Sequence, residues 1–419
     1  MLKIGILSLG CPRNLVDSEG ILGRLAGKGY QVTDISRAEI AILNTCAFVK
    51  DAKTEAIDAI LELVELKKQG KLKKVIVCGC LVQRYGNDLR REFPEVDAFV
   101  GSPALAEGIA RYPLTPASHA YLKICEGCVN NCSFCAVPII KLRLESLGEK
   151  DVLAKLDALD ASRVPEINII GQDLTGYGLD RGTKAGLEKL LSQILRRSRF
   201  APRWFRLLYL HPARVTDSLL RLMASDPRVC RYIDLPLQHV NDRILTRMNR
   251  HTSKDDISRL IGRVRKILPG AAIRTAFIVG FPGETDKEFQ ELLSFIKETG
   301  FERLGVFTYS QEEGTRAAGF KGQVPDKVKQ ERFDLIMSAQ QEISRRHNAA
   351  LMGNTLEVLI DGKEDGRYLG RSRFDAPEVD GSVFVTSRRP LKAGEIVTAR
   401  VTDTLEYDLC AEVCHEHRE

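Results

Sequence analysis

The stretch EGCVNNCSFCAVP, residues 126–138, decides how the chain is to be read. It sets Cys128, Cys132 and Cys135 in a CxxxCxxC pattern, directly after an apolar run at 121–124 that reads as a strand. A cubane of four irons needs four ligands, and this motif supplies three. The remaining iron keeps an open position, where the amino and carboxylate groups of S-adenosylmethionine can chelate. The competing reading is a zinc knuckle. Zinc takes four closed ligands in structural sites, and no further Cys or His stands at a suitable local spacing, because Cys125 reads as a strand residue pointing inward.

Downstream of this loop a strand–helix unit repeats about six times. Strands are expected at 121–124, 166–170, 205–210, 232–235, 273–279 and 304–309, with helical patterns between them, as at 151–159 and 289–296. A complete eightfold barrel needs more strands. The pattern therefore predicts an open, partial (β/α) barrel of six strands, closed by a long helix over 327–351. Barrel sites are built at the carboxyl ends of the strands. That rule puts Gly171, Gln172 and Asp173, then His211, then Gln238 with His239 beside it, at the mouth as cofactor-binding positions. GFPGET, residues 280–285, follows a strand and opens a helix. Gly280 and Gly283 permit close backbone approach to a cofactor, and Thr285 with Glu288 fits a capping box. A tight turn with a good cap accounts for the motif equally well. His119, His251 and His347 read as solvated, and no catalytic side chain is assigned.

Upstream, apolar runs at 2–9, 40–43, 75–77 and 96–100 are separated by amphipathic stretches such as 52–66, with Ala56, Ile57, Ile60, Leu61 and Val64 on one face. That alternation predicts a doubly wound parallel sheet. Cys11, Cys46 and Cys80 each follow one of these strands. Parallel strands share one carboxyl edge, so three loops can bring these thiolates together. Buried inert cysteines are also common in such sheets, and the residues alone leave both readings open. Cys78 reads as a strand-interior residue on the other face. Pro113 and Pro116 mark a linker to the barrel. Beyond the long helix, alternating runs at 356–360, 382–386 and 396–401 lie between Gly-, Asp- and Pro-rich turns, which predicts a small antiparallel β-barrel. Cys230, Cys410 and Cys414 have no assigned partners, although Cys410, Cys414, His415 and His417 form a tail group able to take a metal adventitiously.

A chain of 419 residues with 44% hydrophobic and 28% charged content fits two or three globular domains. No apolar run approaches bilayer-spanning length. The amino-terminal run is only a strand's length and leads into Pro12 and Arg13, which reads as a first buried strand rather than a leader. A cytoplasmic protein follows, and eleven cysteines in a reducing compartment point to metal or redox chemistry more than to disulfides. The net charge of +6 is unevenly spread. From residue 355 onward nine Lys and Arg face fourteen Asp and Glu, a net of −5, which leaves +11 on the rest. An acidic tail repels RNA phosphates and attracts a basic protein.

The quoted loop resembles the cluster loop of radical S-adenosylmethionine enzymes, specifically the methylthiotransferases, and the likeness extends over essentially the whole chain. LGCPRNLVDSEG at 9–20, LPLQHVNDRIL at 235–245, FTYSQEEGT at 307–315 and APEVDG at 376–381 resemble the branch that modifies a ribosomal protein, the RimO family. The resemblance implies three domains: a methylthiotransferase domain at 1–112, a radical S-adenosylmethionine domain at 118–352 and a TRAM domain at 354–417. It implies two 4Fe–4S clusters, one on Cys128, Cys132 and Cys135 and a second on Cys11, Cys46 and Cys80, together with S-adenosylmethionine. The implied reaction places a methylthio group on the β-carbon of a loop aspartate in the twelfth small-subunit ribosomal protein. A basic ribosomal protein is then the substrate, electron-donor and sulfur-donor proteins are partners, and no membrane is involved. The alternatives are a methylthiotransferase acting on a tRNA adenosine and a catalytically impaired relative that only binds the ribosomal protein. One departure stands beside the cluster loop. Where the family usually reads Pro-Ser-Ile-Arg-Gly, this chain reads Pro138-Ile139-Ile140-Lys141-Leu142. Lys replaces a guanidinium capable of bidentate contact, and Leu replaces Gly.

Overall fold

Strongly apolar runs bounded by Gly and Asn form the first sheet. The computed structural model describes residues 1–103, 110–198 and 204–414. Strands β1 (Lys3–Ser8), β2 (Gln31–Val32), β3 (Ile40–Thr45), β4 (Lys74–Gly79) and β5 (Ala98–Val100) pair in the order β2-β1-β3-β4-β5, all parallel. This is the doubly wound order of flavodoxin-like sheets, whose ligands sit at the carboxyl edge. Helices α1 (Pro12–Gly27), α2 (Lys50–Lys68) and α3 (Cys80–Glu92) follow β1, β3 and β4. Helix α2 buries Ala56, Ala59, Ile60, Leu63 and Val64, whereas Leu61 is half exposed. At 100° per residue, Leu61 turns off the stripe that Ile60 and Val64 share.

All six expected barrel strands form. After β6 (His119–Lys123), a two-strand ribbon of β7 (Cys125–Glu126) and β8 (Glu145–Ser146) frames the cysteine loop. The barrel continues with β9 (Glu166–Ile170), β10 (Trp204–Leu207), β11 (Tyr232–Gln238), β12 (Ala272–Val279) and β13 (Arg303–Thr308). Two parallel three-stranded sheets, β6-β9-β10 and β11-β12-β13, meet where Phe205 exchanges backbone hydrogen bonds with Arg228 and Cys230. No pairing joins β6 to β13 among the described residues, so the barrel stays open. Strand β10 stops three residues short of the expected end, because Tyr209 adopts a φ of +66°. The helix Asp326–Ala349 packs against β13 and the helix Asp286–Thr299.

The tail is a closed five-stranded barrel, β14 (Thr355–Glu364), β15 (Arg367–Ser372), β16 (Val383–Thr386), β17 (Ile396–Thr404) and β18 (Leu409–Val413), in the order β14-β15-β16-β18-β17. Its pairs are antiparallel except β16 with β18, which run parallel. Sequence reading finds three of these strands and misses two. Strand β15 has no clear alternation because Arg371 points inward to a carboxylate partner.

The tail plugs the floor of the large barrel. Arg371 donates to Glu166 Oε2 at 2.6 Å and makes a two-pronged contact with Asp361 at 2.7 and 2.9 Å, while Arg206 donates to Glu166 Oε1 at 2.9 Å. Asp375 accepts from Arg303 at 2.9 Å, and Asp380 accepts from Tyr232 at 2.5 Å and faces Arg274 at 3.4 Å. The APEVDG motif therefore anchors the tail: its Asp380 and the adjacent Asp375 both face barrel arginines. His119 is buried here rather than solvated, in register with Glu166. Burial and the nearby Arg371 hold its pKa down to about 4. His347, also expected to be solvated, is part-buried against the Gly300 carbonyl at 3.0 Å, whereas His251 is exposed. His415 and His417 lie outside the described residues. Among the described residues, no helix is long and apolar enough to cross a membrane.

Candidate active site

The three cysteines of the quoted loop line one cavity of about 210 Å³ at the carboxyl ends of the barrel strands. Gln172 and Asp173 beyond β9, Tyr209 and His211 beyond β10, and Pro236 and Gln238 on β11 line it as well. Cys125 is fully buried on β7, with its thiol directed at the Asp173 carbonyl at 3.9 Å. Among the described residues, no three His, Cys, Asp or Glu side chains are grouped as a metal ion would require. Three thiolates that bind three different irons of a cubane need not converge on one point, so this bears against zinc more than against a cluster.

Backbone amides aim at the loop sulfurs. Asn130 N reaches Cys128 Sγ at 3.3 Å, Val137 N reaches Cys135 Sγ at 3.4 Å, and Arg250 Nη1 approaches Cys132 Sγ at 3.7 Å. Burial, followed by the neighbouring Cys132 charge, pushes the Cys135 thiol up to about 12, and burial raises Cys128 too. Such a set ionises readily only when a cationic centre joins it. Gln172 Oε1 and Arg250 Nε are buried without a hydrogen-bond partner, so the cavity carries unspent polar capacity. This donor set fits a three-cysteine cluster with a small zwitterionic ligand.

Asp173 is held rigidly. It accepts from Thr175 N at 3.0 Å and Asn130 Nδ2 at 2.8 Å, and it pairs with Arg214. His211 caps the turn Pro212–Arg214 by accepting from Ala213 N at 3.3 Å. Burial, then the charges of Arg250 and Arg214, drive its pKa down to about 2, so its ring is neutral. Gln238 has a φ of +74°, and with Tyr209 it is one of two non-glycine lining residues in the left-handed region. Strain of this kind collects at functional sites.

Other expected mouth positions fall elsewhere. His239 is fully buried and absent from the cavity lining, where it accepts from Asn241 N at 3.0 Å. Gly280 and Gly283 do not line the cavity either. Their φ values are +71° and +83°, and an added Cβ would meet Lys329 Cγ at 2.2 Å or Arg247 Nη2 at 3.3 Å. The capping box of Thr285 and Glu288 is present, so this turn serves helix packing. Gly171 does not line the cavity but accepts from Arg13 Nη1 at 3.0 Å.

Cys11, Cys46 and Cys80 stand at the carboxyl ends of β1, β3 and β4, which are adjacent in the sheet. Asn14 ties the three ends together. Its amide donates to Leu9 O at 3.0 Å and Thr45 O at 2.9 Å, and its Oδ1 faces Cys80 Sγ at 3.7 Å. A Cβ at Gly10, whose φ is +92°, would stand 3.0 Å from Cys46 Sγ. Cys46 is raised by burial and by the charge of Cys11, and Cys80 is pushed to about 12 mainly by burial. Burial would also raise Cys11, but Arg13 and the Asn14 amide bring it below the ordinary thiol value. Cys78 is buried within β4, as its reading required.

Sequence reasoning missed Arg13, Phe48, Asn130 and Arg250, all of which line the cavity. Arg13 and Phe48 come from the first domain, each two residues beyond a cysteine of the second trio, and that adjacency was the available signal. Arg250 had none. Lys141 is likewise placed by the fold. It pairs with Glu126 at 2.6 Å, lies 4.0 Å from Asp17, and donates to Ser102 at 2.9 Å. With Lys123 it completes a buried group of two lysines and two carboxylates between α1 and the barrel. Three single contacts suit an ammonium, so the missing guanidinium leaves no empty prong.

A partial barrel carrying this loop at its mouth defines a radical S-adenosylmethionine enzyme. Residues 122–296 match the Radical SAM superfamily, residues 3–101 match the uncharacterized protein family UPF0004, and residues 352–414 match the TRAM domain. The fold resembles the radical S-adenosylmethionine methyltransferase TsrM from Kitasatospora setae, with a TM-score of 0.53, 14% identity and coverage of 73% of this chain and 72% of that one. It also resembles the cobalamin-dependent S-adenosylmethionine radical enzyme OxsB, with a TM-score of 0.51, 13% identity and coverage of 82% and 56%. These likenesses concern the fold alone. The ribosomal protein uS12 methylthiotransferase RimO of Thermoanaerobacter sp. (strain X514) is 45% identical, covering 98% of this chain and 100% of its own. That of Geobacter sulfurreducens is 42% identical, with 98% of each chain covered. The chain belongs to this RimO family and is a radical S-adenosylmethionine methylthiotransferase.

Proposed function

We propose that the chain attaches a methylthio group to the β-carbon of a loop aspartate in ribosomal protein uS12. One observation carries the reading: Arg13 and Phe48, neighbours of the first-domain cysteines, line the same cavity as Cys128, Cys132 and Cys135. In this reading Cys128, Cys132 and Cys135 hold one 4Fe–4S cluster, and Cys11, Cys46 and Cys80 hold a second. When bound, the first supplies the electron that cleaves S-adenosylmethionine to a 5′-deoxyadenosyl radical, and the second supplies the site at which sulfur is methylated. Gln172, Asp173, His211 and Gln238 orient S-adenosylmethionine. Neutral His211 adds no positive charge against its sulfonium. Phe48 and Phe134 keep water from the reacting carbon.

The same reading takes 1–112, 118–352 and 354–417 as domain limits, electron- and sulfur-donor proteins as partners, and a cytoplasmic setting. The tail supports a protein substrate. Among its described exposed side chains seven acids face six bases, so the tail lacks the basic excess with which an RNA clamp would hold phosphates.

Anaerobic reconstitution with iron and sulfide is expected to load about eight irons per chain. The loaded enzyme is then incubated with uS12 and, separately, with tRNA. A methylthio mass gain on one uS12 aspartate is the expected result. A gain on tRNA alone overturns the choice of substrate, and a folded, zinc-containing chain that takes up no iron overturns the reading entirely.

A further inference from the structure

We propose that Arg13 receives the β-carboxylate of the target aspartate and thereby sets the enzyme's choice of residue; this rests on the function proposed above. Arg13 is the cavity's one contribution of charge from the first domain, and it lies between the two cysteine trios. Its guanidinium carbon sits 4.7 Å from the centroid of the Tyr209 ring, and the Gly171 carbonyl takes one Nη1 hydrogen at 3.0 Å. These contacts, with a side-chain hydrogen bond to Cys11, fix the planar group and leave its remaining N–H donors for a ligand. Among the described residues no carboxylate stands within ion-pair distance of Arg13, whereas nearby Arg214 is committed to Asp173. Arg250 lines the cavity too, but it is directed to Cys132 and to the Pro236 carbonyl at 2.5 Å.

The stacking partner is itself purpose-built. Tyr209 reaches Arg13 only through a backbone with φ of +66°. That conformation is pinned on both sides: the Tyr209 amide donates to Asp234 Oδ2 at 2.8 Å, and its carbonyl accepts from Leu174 N at 3.0 Å. Asp234 is held in turn by Arg274 at 3.1 Å. The β-carboxylate carbon is bonded to the β-carbon, so gripping the carboxylate places the reacting carbon within one bond of a fixed point. Radical hydrogen abstraction needs such placement.

Calorimetric titration of the cluster-loaded enzyme tests this, using uS12 and uS12 with the target aspartate changed to asparagine. The wild-type enzyme is expected to bind the asparagine form about 10-fold or more weakly, because a charge-assisted pair is lost. In Arg13→Gln, loaded to the same iron content as the wild type, the two forms should bind within about 2-fold of each other; Arg13→Lys should recover part of the difference. Equal affinity of the wild-type enzyme for both forms overturns the proposal whatever the variants do. Discrimination that survives in Arg13→Gln overturns it as well. A wild-type enzyme that ignores uS12 and modifies tRNA overturns the function instead, a result that these titrations distinguish.

Discussion

The barrel has a floor and a mouth, and the same strands treat buried charge differently at the two ends. At the floor every arginine of the tail interface meets a carboxylate: Arg206 and Arg371 share Glu166, Arg303 holds Asp375, and Arg274 spans Asp234 and Asp380. At the mouth Arg13 and Arg250 face thiols and carbonyls, burial pushes the Cys128 and Cys135 thiols up, and Tyr209 and Gln238 hold strained backbones. The floor spends its charges on folding. The mouth pairs Asp173 with Arg214, but among the described residues it sets no carboxylate in ion-pair contact with Arg13 or Arg250.

The largest expected effect contrasts two neighbouring cysteines. Cys132→Ala should lose about half of the iron and reduce activity to background while leaving thermal unfolding of the apoprotein nearly unchanged. Cys125→Ala removes a more deeply buried sulfur, packed in the barrel core with its thiol toward the Asp173 carbonyl. It should keep all of its iron and lose about 1 kcal/mol of stability. Iron counted after reconstitution decides, and full iron in Cys132→Ala would erase the contrast between mouth and core.

At the floor the expectation reverses. Glu166 is fully buried between two arginines. Glu166→Ala leaves Arg206 uncompensated and Arg371 with Asp361 alone, and should destabilise the barrel–tail unit by about 3–5 kcal/mol in urea unfolding, with iron uptake by the folded fraction unchanged. A loss below about 1 kcal/mol would show that water already screens this network.

Acid should also act through the floor. His119 has a folded-state pKa of about 4, below the ordinary 6.5, because burial and then Arg371 disfavour its cation. The unfolded chain therefore binds more protons between these values. Stability from this residue is present above pH 6.5 and falls progressively as pH drops to about 4, by on the order of 3 kcal/mol. His119→Asn should flatten that part of the stability curve. His211 at the mouth is lowered further, to about 2, so by the same linkage it adds a slope of the same sign that persists below pH 4, and its replacement should flatten the curve at the acid end as well.

Much of this architecture was legible because it rests on local pattern. Strand Glu166–Ile170 reads EINII, three isoleucines around a single asparagine, and the structure starts and ends it where the sequence does. Cys128, Cys132 and Cys135 stood out through their spacing, whereas the places of Cys11, Cys46 and Cys80 after strands left their reading open until the resemblance was drawn. What sequence hid depends on partners far away in the chain. His119 looked like a loop residue because the tail that buries it begins more than two hundred residues later. Strand β15 looked like a turn because Arg371 is an inward residue whose partner, Glu166, belongs to another domain. Tyr209 interrupts what reads as a continuous strand, and only the fold reveals that the interruption aims its ring at Arg13. For GFPGET the sequence left a capped turn and a cofactor contact open, and the fold sets its glycines against Lys329 and Arg247.

The smallest effect concerns Leu142, at the end of the cluster loop. It has a φ of +57° and a side chain 63% exposed, so it bears left-handed strain without packing in return. Gly would relieve roughly 1 kcal/mol of strain at that position. It would also free the unfolded chain, which returns about 0.4–1 kcal/mol. The two terms nearly cancel, so Leu142→Gly should move stability by no more than about 0.5 kcal/mol in either direction. Its neighbour Lys141 is fixed by Glu126, Asp17 and Ser102, and those contacts keep the loop in register whichever residue follows. Iron content and S-adenosylmethionine affinity should therefore match the wild type. A change of more than about 3-fold in that affinity would mean that the loop's backbone, and not only its cysteines, belongs to the mouth.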